Sequence, residues 1–397
     1  MGVREALDKI EQLGPQTCYE AAEEVGPGGP TEREKAADRA GIIFHAAMPG
    51  GKRMPLLKTL LTSACERDCN YCPFRAGRDF RRVTLSPQEL AGAFDRIHRS
   101  GKVKGIFLSS GVAGGGVRTQ SRLIETAEIL RGHYGFEGYI HLKLMPGAES
   151  AQVERAMQLA DRVSVNLEAP TEEALARLAP KKQLVDELVR PLQDVERIRQ
   201  AHGGRPGGWR NPSRSGPSQT TQFVVGPGGE TDRELLRTVE YLQRTVKLAR
   251  TYFMAFKPVS GTPLEGRSPE SPVRERRLYQ SDFLIRDYGF RASELLFGES
   301  GNLFLEEDPK LVWARRSLAE APVELNTADE HGLLRVPGIG PVGARKILRA
   351  RREGRLREVR DLRTMGVAAR RAAPFILLDG KRPAHQLRLW VEQSERR

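Results

Sequence analysis

The stretch LLKTLLTSACERDCNYCPF, residues 56–74, decides how the rest of the chain is read. Its first six residues, Leu56 to Leu61, form an apolar run with the length and composition of a buried strand. Cys65, Cys69 and Cys72 follow at once, three thiols within eight residues at the spacing C-x3-C-x2-C. A tight loop of thiolates at a strand end suits a soft metal or an iron–sulfur cluster. A [4Fe–4S] cube normally takes four cysteines, so three leave one iron open to another ligand. A structural zinc site needs four closed nitrogen or sulfur ligands. The one remaining cysteine, Cys18, lies far upstream, and no histidine stands at ligand spacing after Cys72. A transient disulfide pair uses two thiols and leaves the third unexplained. The cluster is the reading adopted, and Cys18 reads as a small buried hydrophobe.

Outward from this loop, strand-like runs alternate with amphipathic helical stretches between about residues 54 and 260. The candidate strands are 56–63, 105–110, 138–145, 162–168, 220–226 and 251–258. Ser86-Pro87-Gln88-Glu89 combines a serine N-cap, a proline in the first turn and a glutamate three residues on, the signature of a capped helix start. In SRLIETAEIL, Leu123, Ala127 and Leu130 share one helix face. Repeated β-α units require a parallel sheet with helices outside. Six of them predict an α/β fold, a partial (β/α)6 TIM-like barrel.

Two of these strands show which face carries chemistry. Ile140, Leu142 and Leu144 alternate with Tyr139, His141 and Lys143; Val163, Val165 and Leu167 alternate with Ser164, Asn166 and Glu168. Successive side chains on a strand point to opposite faces. The outer helices require the apolar set, so the polar set faces the barrel interior, where a packed core would carry branched aliphatics instead. His141, Lys143, Asn166 and Glu168 therefore line a lumen suited to a polar ligand. The alternative is a buried network of structural hydrogen bonds.

The chain has 397 residues, a net charge of +13 and a pI near 9.8. Four cysteines are too few for a secreted disulfide scaffold, and the clustered trio argues for a reducing compartment. The opening MGVREALDKIEQLG has no apolar core of a signal peptide, and no stretch reaches the roughly 18 apolar residues of a membrane span. A cytoplasmic protein without membrane contact is expected. Residues 321–397 hold 17 Lys and Arg against 9 Asp and Glu, a net of +8. Such a basic end is an electrostatic footprint for polyanions, although arginine on solvated helices gives the same count. Residues 203–218, rich in Gly, Pro and Ser, read as a loop.

The C-terminal motif is NTADEHGLLRVPGIGPVGARKILRARR. Thr327 with Glu330 predicts a capped helix start, Pro337-Gly338-Ile339-Gly340 a tight turn, and Pro341 the opening of a second helix. Glycines in such a turn let backbone N–H groups at the helix start face a phosphate, with Arg345 and Lys346 within reach. DLRTMGVAARRAAPFI offers a worn second copy around Met365-Gly366-Val367.

The cysteine spacing resembles the radical S-adenosylmethionine (SAM) superfamily. That resemblance implies a [4Fe–4S] cluster on Cys65, Cys69 and Cys72, with SAM on the open iron and an external reductant such as flavodoxin or ferredoxin. It also implies Tyr71 beside the adenine, the glycine-containing segment at Ser109 and Gly111 near the SAM amino group, and Gly226 in VVGPGGETD at the adenine. Asn166 and Glu168 are further candidates for holding SAM, and His141 and Lys143 for the substrate or the SAM carboxylate. The hairpin resembles the helix-hairpin-helix family, which implies backbone binding of nucleic acid through Gly338, Gly340, Arg345 and Lys346.

Together with GIFLSSG, GYIHLKLMPGA, LAPKK, RERRLYQSDFLIRDYGF and DPKLVWA, the two motifs resemble radical-SAM proteins assigned to DNA modification or repair that end in a helix-hairpin-helix domain. The expected organisation is an N-terminal helical extension (1–50), a radical-SAM core (51–300), a linker (301–320) and the small all-α hairpin domain (321–397). DNA is the expected partner. An RNA- or tRNA-modifying enzyme is the alternative enzyme reading, and a non-catalytic DNA-binding redox sensor the alternative of another class.

Overall fold

The computed structural model describes residues 3–14, 17, 42–47, 53–202 and 216–383. Cys18 and most of the loop expected at 203–218 lie outside the described residues. A seven-stranded sheet runs in sequence order: β1 (Ile43–Ala47), β2 (Arg53–Leu60), β3 (Gly105–Ser109), β4 (Tyr139–Lys143), β5 (Arg162–Glu168), β6 (Ser218–Val225) and β7 (Arg250–Ala255). Strands β2 to β7 are all parallel, the curled half-barrel that six β-α units require. β1 is antiparallel and covers the exposed edge of β2, with Phe44 opposite Leu56. It lies within the segment expected to be only a helical extension. Its sequence, IFHAA, carries too little alternation to announce a strand.

Helices α1 (Val3–Leu13), α2 (Pro87–Arg99), α3 (Gly116–Glu128), α4 (Ser150–Leu159), α5 (Glu172–Leu178) and α6 (Arg190–Ala201) accompany the strands. The start of α2 forms as expected: Ser86 Oγ accepts from Glu89 N, and Ser86 N donates to Glu89 Oε2 at 2.7 Å. Lys9 of α1 reaches the same carboxylate at 2.9 Å. Leu123, Ala127 and Leu130 are fully buried, as are Ile140, Leu142, Val163 and Leu167 on the helix-facing side of β4 and β5. Removing that much apolar surface from water is the main drive for this half of the fold.

The remaining helices are α7 (Asp232–Thr245), α8 (Pro272–Tyr288), α9 (Pro309–Ser317), α10 (Glu330–Arg335), α11 (Pro341–Glu353), α12 (Val359–Thr364) and α13 (Ala369–Ala372). The chain divides into two compact units. One runs to Glu230 and includes Tyr241–Glu275; the other comprises Thr231–Glu240 and everything from Arg276. The division therefore falls earlier than the expected boundary at residue 300, and the expected linker contains helix α9. Its Pro309 start is capped by Asp308, whose side chain accepts from Leu311 N.

The second unit has its own core, built on Leu325, Leu333, Val336, Ile339, Ile347, Leu362 and Ile376. A two-stranded parallel ribbon, β8 (Val323–Glu324) with β9 (Ile376–Leu377), closes it. Helix α10 starts later than the Thr327 cap predicted. Asp329, two residues further on, is the N-cap and accepts from Gly332 N at 2.7 Å; aspartate is at least as good an N-cap as threonine, and its negative charge suits a helix start. Among the described residues no helix is long and apolar enough to cross a membrane.

Candidate functional site

The cysteine loop leaves β2 and is held open by backbone bonds to its neighbours. Gly111 N donates to Thr62 O at 2.7 Å and Glu66 N to Val112 O at 2.8 Å, fastening the loop to the end of β3. A Cβ at Gly111 would stand 2.4 Å from Ala64 O. The glycine is therefore required for the close approach of two backbones, before any contact with a ligand. On the other side the loop is stapled to residues 177–187. Asn70 N donates to Leu178 O at 2.7 Å, Lys181 N to Asp68 Oδ1 at 3.2 Å, and Arg67 pairs with Glu187 at 2.7 Å while donating to Lys181 O.

The three thiols open onto one pocket, whose wall includes Tyr71, Gly111, Lys143, Asn166, Glu168 and Lys182. All three are free thiols. Val112 N donates to Cys65 Sγ and Phe74 N to Cys72 Sγ, each at 3.4 Å. Such N–H···S bonds favour the thiolate. Burial pushes the Cys69 thiol up and, followed by the neighbouring Cys69 charge, pushes the Cys72 thiol well up. Thiols in this state shed protons when a metal binds. Three thiols facing one pocket match the protein ligands of a cluster with one open iron, and fall one short of the four that a structural zinc site requires.

The pocket also supplies the polar atoms an organic ligand requires. Glu168 is 2% exposed and adopts φ +65°, at a register shift between β5 and β6. A non-glycine residue in the left-handed region is uncommon and marks a position held by its surroundings. Oε1 pairs with Lys182 at 2.9 Å, and Oε2, on the side of the Tyr71 phenol, makes no hydrogen bond of good geometry among the described residues. A buried carboxylate oxygen without a donor is costly unless a ligand hydroxyl or amine supplies one. Lys182 is held ammonium: burial opposes the charge, but Cys69 and Glu168 beside it raise its pKa far above the ordinary lysine range. Burial, then Glu168, pushes the Tyr71 phenol well up, so it stays neutral. The residues present therefore fit both a cluster and a SAM-like ligand. Cys65, Cys69 and Cys72 would hold the first; Glu168, Asn166 and Lys182 offer contacts to the second.

Several expected site residues lie elsewhere. Ser109 is fully buried in β3, and Ser110 takes the place on the pocket wall. His141 is also inside the barrel wall, one register step below the pocket-lining Lys143; its Nε2 shares a hydrogen bond with Ser164 Oγ at 2.8 Å, and Phe107 stands edge-on at 4.5 Å. Burial, then Arg162, Lys143 and Lys58, drives it well below the ordinary imidazole range, so it is neutral. Gly226 (φ +109°) is absent from the wall. Its N–H donates to Glu230, and a Cβ would meet the Glu270 carboxylate that pairs with Arg274 at 2.6 Å. Lys182, Arg67 and Glu187 were not singled out from sequence, because charged residues in a loop carry no periodicity; the LAPKK motif was the one available signal.

In the C-terminal unit, Gly338 has φ +85°, and Gly340 is the N-cap of α11. A Cβ at Gly338 would stand 2.6 Å from Ala368 O, and Ala368 N donates back to Gly338 O at 3.1 Å. Gly338 thus joins the two helix–turn–helix copies, which sequence reasoning had not anticipated. Lys346 Nζ donates to Met365 O at 3.0 Å, closing the second turn rather than pointing from the first. Arg345 is exposed at the rim of a concavity of about 890 Å³, lined by Tyr288, Lys310, Gly338, Ile339 and Gly340.

Residues 59–242 match the family model of the radical SAM superfamily. Threonylcarbamoyladenosine tRNA methylthiotransferase MtaB of Thermotoga maritima is 24% identical over 220 residues, 53% of this chain and 46% of the relative. The chain therefore spans about half the length of that curated relative. Among solved structures, methylornithine synthase (PylB) is 14% identical at a TM-score of 0.46, over 70% of this chain and 68% of the other. The FeFe-hydrogenase maturase HydG from Carboxydothermus hydrogenoformans is 16% identical at 0.44, over 58% and 51%.

Proposed function

We propose that this chain, whose residues 59–242 match the radical SAM superfamily, is a radical SAM enzyme whose substrate is a nucleic acid, modified or repaired at a base or sugar carbon in DNA. When bound, the cluster and SAM supply an electron and a 5′-deoxyadenosyl radical able to take hydrogen from an unactivated carbon. The protein's part is positional. Three cysteines fix the cluster, Glu168 and Asn166 orient SAM, Lys182 sets the direction of Glu168, and Lys143 faces the space where substrate enters. Hydrogen transfer requires near contact, so orientation carries most of the catalytic effect.

The observation carrying the nucleic-acid reading is the C-terminal pair of helix–turn–helix copies, read as a helix-hairpin-helix domain. Its turn at 337–340 opens a thirteen-residue helix, with Arg345 exposed beside it, in a segment of net charge +8. Helix starts of this kind hold phosphate through backbone amides, without reading sequence. An RNA substrate is the second reading, supported by the similarity to a tRNA-modifying relative.

Anaerobically reconstituted full-length protein, given dithionite and SAM, is expected to release 5′-deoxyadenosine, faster with the true substrate present. Competition between duplex DNA and tRNA decides between the two nucleic acids, and mass spectrometry of nucleosides after turnover identifies the product. A reduced, cluster-loaded protein that never cleaves SAM would point to the redox sensor instead.

A further inference from the structure

Helix α9 contributes one residue to the 337–340 turn from outside the hairpin. Lys310 is 8% exposed, its ammonium donates to Ile339 O at 2.7 Å, and it stands 4.5 Å from the centre of the Tyr288 ring. Ile339 O and Gly340 N–H belong to one planar trans peptide, so holding the carbonyl inward turns that N–H the opposite way. Gly340 is the N-cap of α11, the start that the nucleic-acid reading assigns to a phosphate. We propose that Lys310 is a positioning residue for this turn, orienting the Ile339–Gly340 peptide for a phosphodiester and coupling its docking to uptake of a proton. The inference rests on the nucleic-acid reading above.

The surroundings of Lys310 give the coupling its sign. Burial lowers its pKa to about 7; Asp308 works against this, and Arg371 and Arg335 add to it. From α8 it faces Tyr288, whose phenol burial pushes up, so it stays neutral, and beyond that Asp287. From its own helix cap comes Asp308, which is paired with Arg371 of α13. From α10 come Glu330, which lines the same concavity, and Arg335, held by Glu294 at 2.9 Å and touching His331 at 2.8 Å. A phosphodiester carries one negative charge across this whole range and favours the ammonium, so it raises the lysine's affinity for its proton. Below about pH 6 the amine is charged with or without ligand, and binding takes up no proton. As pH rises through 7 the free protein loses the proton, the bound one keeps it, and affinity falls. Each unit of pKa difference between the two states is worth at most about tenfold in affinity.

The test uses the full chain and a short mixed-sequence duplex DNA carrying a fluorophore, with an RNA hairpin of equal length in parallel. Binding is followed by anisotropy from pH 6.0 to 8.5 at constant low ionic strength, and proton uptake by calorimetry in two buffers of different ionisation enthalpy. The wild type is expected to bind about tenfold more weakly at pH 8.5 than at pH 6.0 and to take up a fraction of a proton near pH 7. Lys310→Met should be weaker, flat with pH and without proton uptake. Lys310→Arg, permanently charged, should restore affinity at pH 8.5 and also be flat. His331→Gln should keep the wild-type profile.

A wild-type pH profile in Lys310→Met, or in Lys310→Arg should the methionine variant fail to fold, overturns the inference. So does a profile that disappears with His331→Gln. Absence of wild-type binding to either nucleic acid overturns the nucleic-acid reading itself.

Discussion

Gly338→Ala is expected to loosen the C-terminal unit by an amount that can be worked from its surroundings. An L-residue at φ +85° costs about 1–2 kcal/mol in the left-handed region. The new methyl group would also sit 2.6 Å from Ala368 O and 3.1 Å from Arg371 Cβ, and forcing extra volume into a packed site costs roughly 1–3 kcal/mol. A total of about 3 kcal/mol follows, which is a rise of roughly a hundredfold in the opening of this part of the unit. Two other glycines separate the contributions. Gly366 has φ +73° with only Lys346 Nζ, at 3.9 Å, near its missing Cβ. Gly366→Ala should therefore show the backbone part alone, about 1–2 kcal/mol. Gly354 is extended, with open space around it, so Gly354→Ala should stay within about 0.5 kcal/mol. Amide hydrogen exchange on the intact protein, read by mass spectrometry on peptides spanning 338–344 and 362–372, reports the opening. Equal protection loss in Gly338→Ala and Gly366→Ala would refute the claim that Gly338 joins the two copies. The same result warns that weakened nucleic-acid binding in Gly338→Ala reports lost structure as much as a lost phosphate contact.

Other expectations are more direct. Reconstituted protein should carry about four irons, and Cys65→Ala, Cys69→Ala and Cys72→Ala should each lose the cluster absorbance, while Cys18→Ala keeps it. Lys182→Met strands the buried Glu168 carboxylate and should destabilise the protein by roughly 3 kcal/mol in thermal melts, with Glu168→Gln in the same background recovering much of that. Glu168→Gln alone should weaken SAM binding by equilibrium dialysis more than Val165→Ala does. Burial raises the Glu89 carboxyl, but the Ser86 amide and Lys9 outweigh it and hold the group below its usual range. Its contribution is therefore complete above the unfolded carboxyl range and is lost as pH falls through the lower folded value. Glu89→Gln should flatten the acid limb of stability against pH.

The barrel was legible because its strands carry strong patterns. Leu56–Leu61 and the alternation in 139–144 and 163–168 each report which side is buried, and six such runs leave few topologies open. The cysteine loop was legible from spacing alone. What escaped depends on contacts distant in sequence. The antiparallel β1 is defined by its partner rather than by its own five residues. Lys182 becomes a site residue only because the chain returns it to the cysteine loop, and the alternation that placed Glu168 on the lumen face does not encode its left-handed backbone. Lys310 reads as one more basic residue in a charged helix until the fold buries it beside Ile339 O. His141 lies off the pocket wall for a related reason: strand parity gives the face, and depth along the strand has to come from the structure; Ser109 and Gly226, expected from the resemblance, lie off it as well.

The staples between the cysteine loop and residues 177–187 bear on how such a loop can be moved between proteins. Arg67, Asp68 and Asn70, three of the five residues between the cysteines, reach across to Glu187, to the Lys181 backbone and to Leu178 O. The shape of the loop is thus written in two places more than a hundred residues apart. Transplanting the eight-residue motif onto another barrel would carry the thiols without the scaffold that spaces them. A graft that brings 177–187 along should accept a cluster, whereas one that leaves it behind should yield three ordinary cysteines. The cysteine motif is inherited as half of a pair.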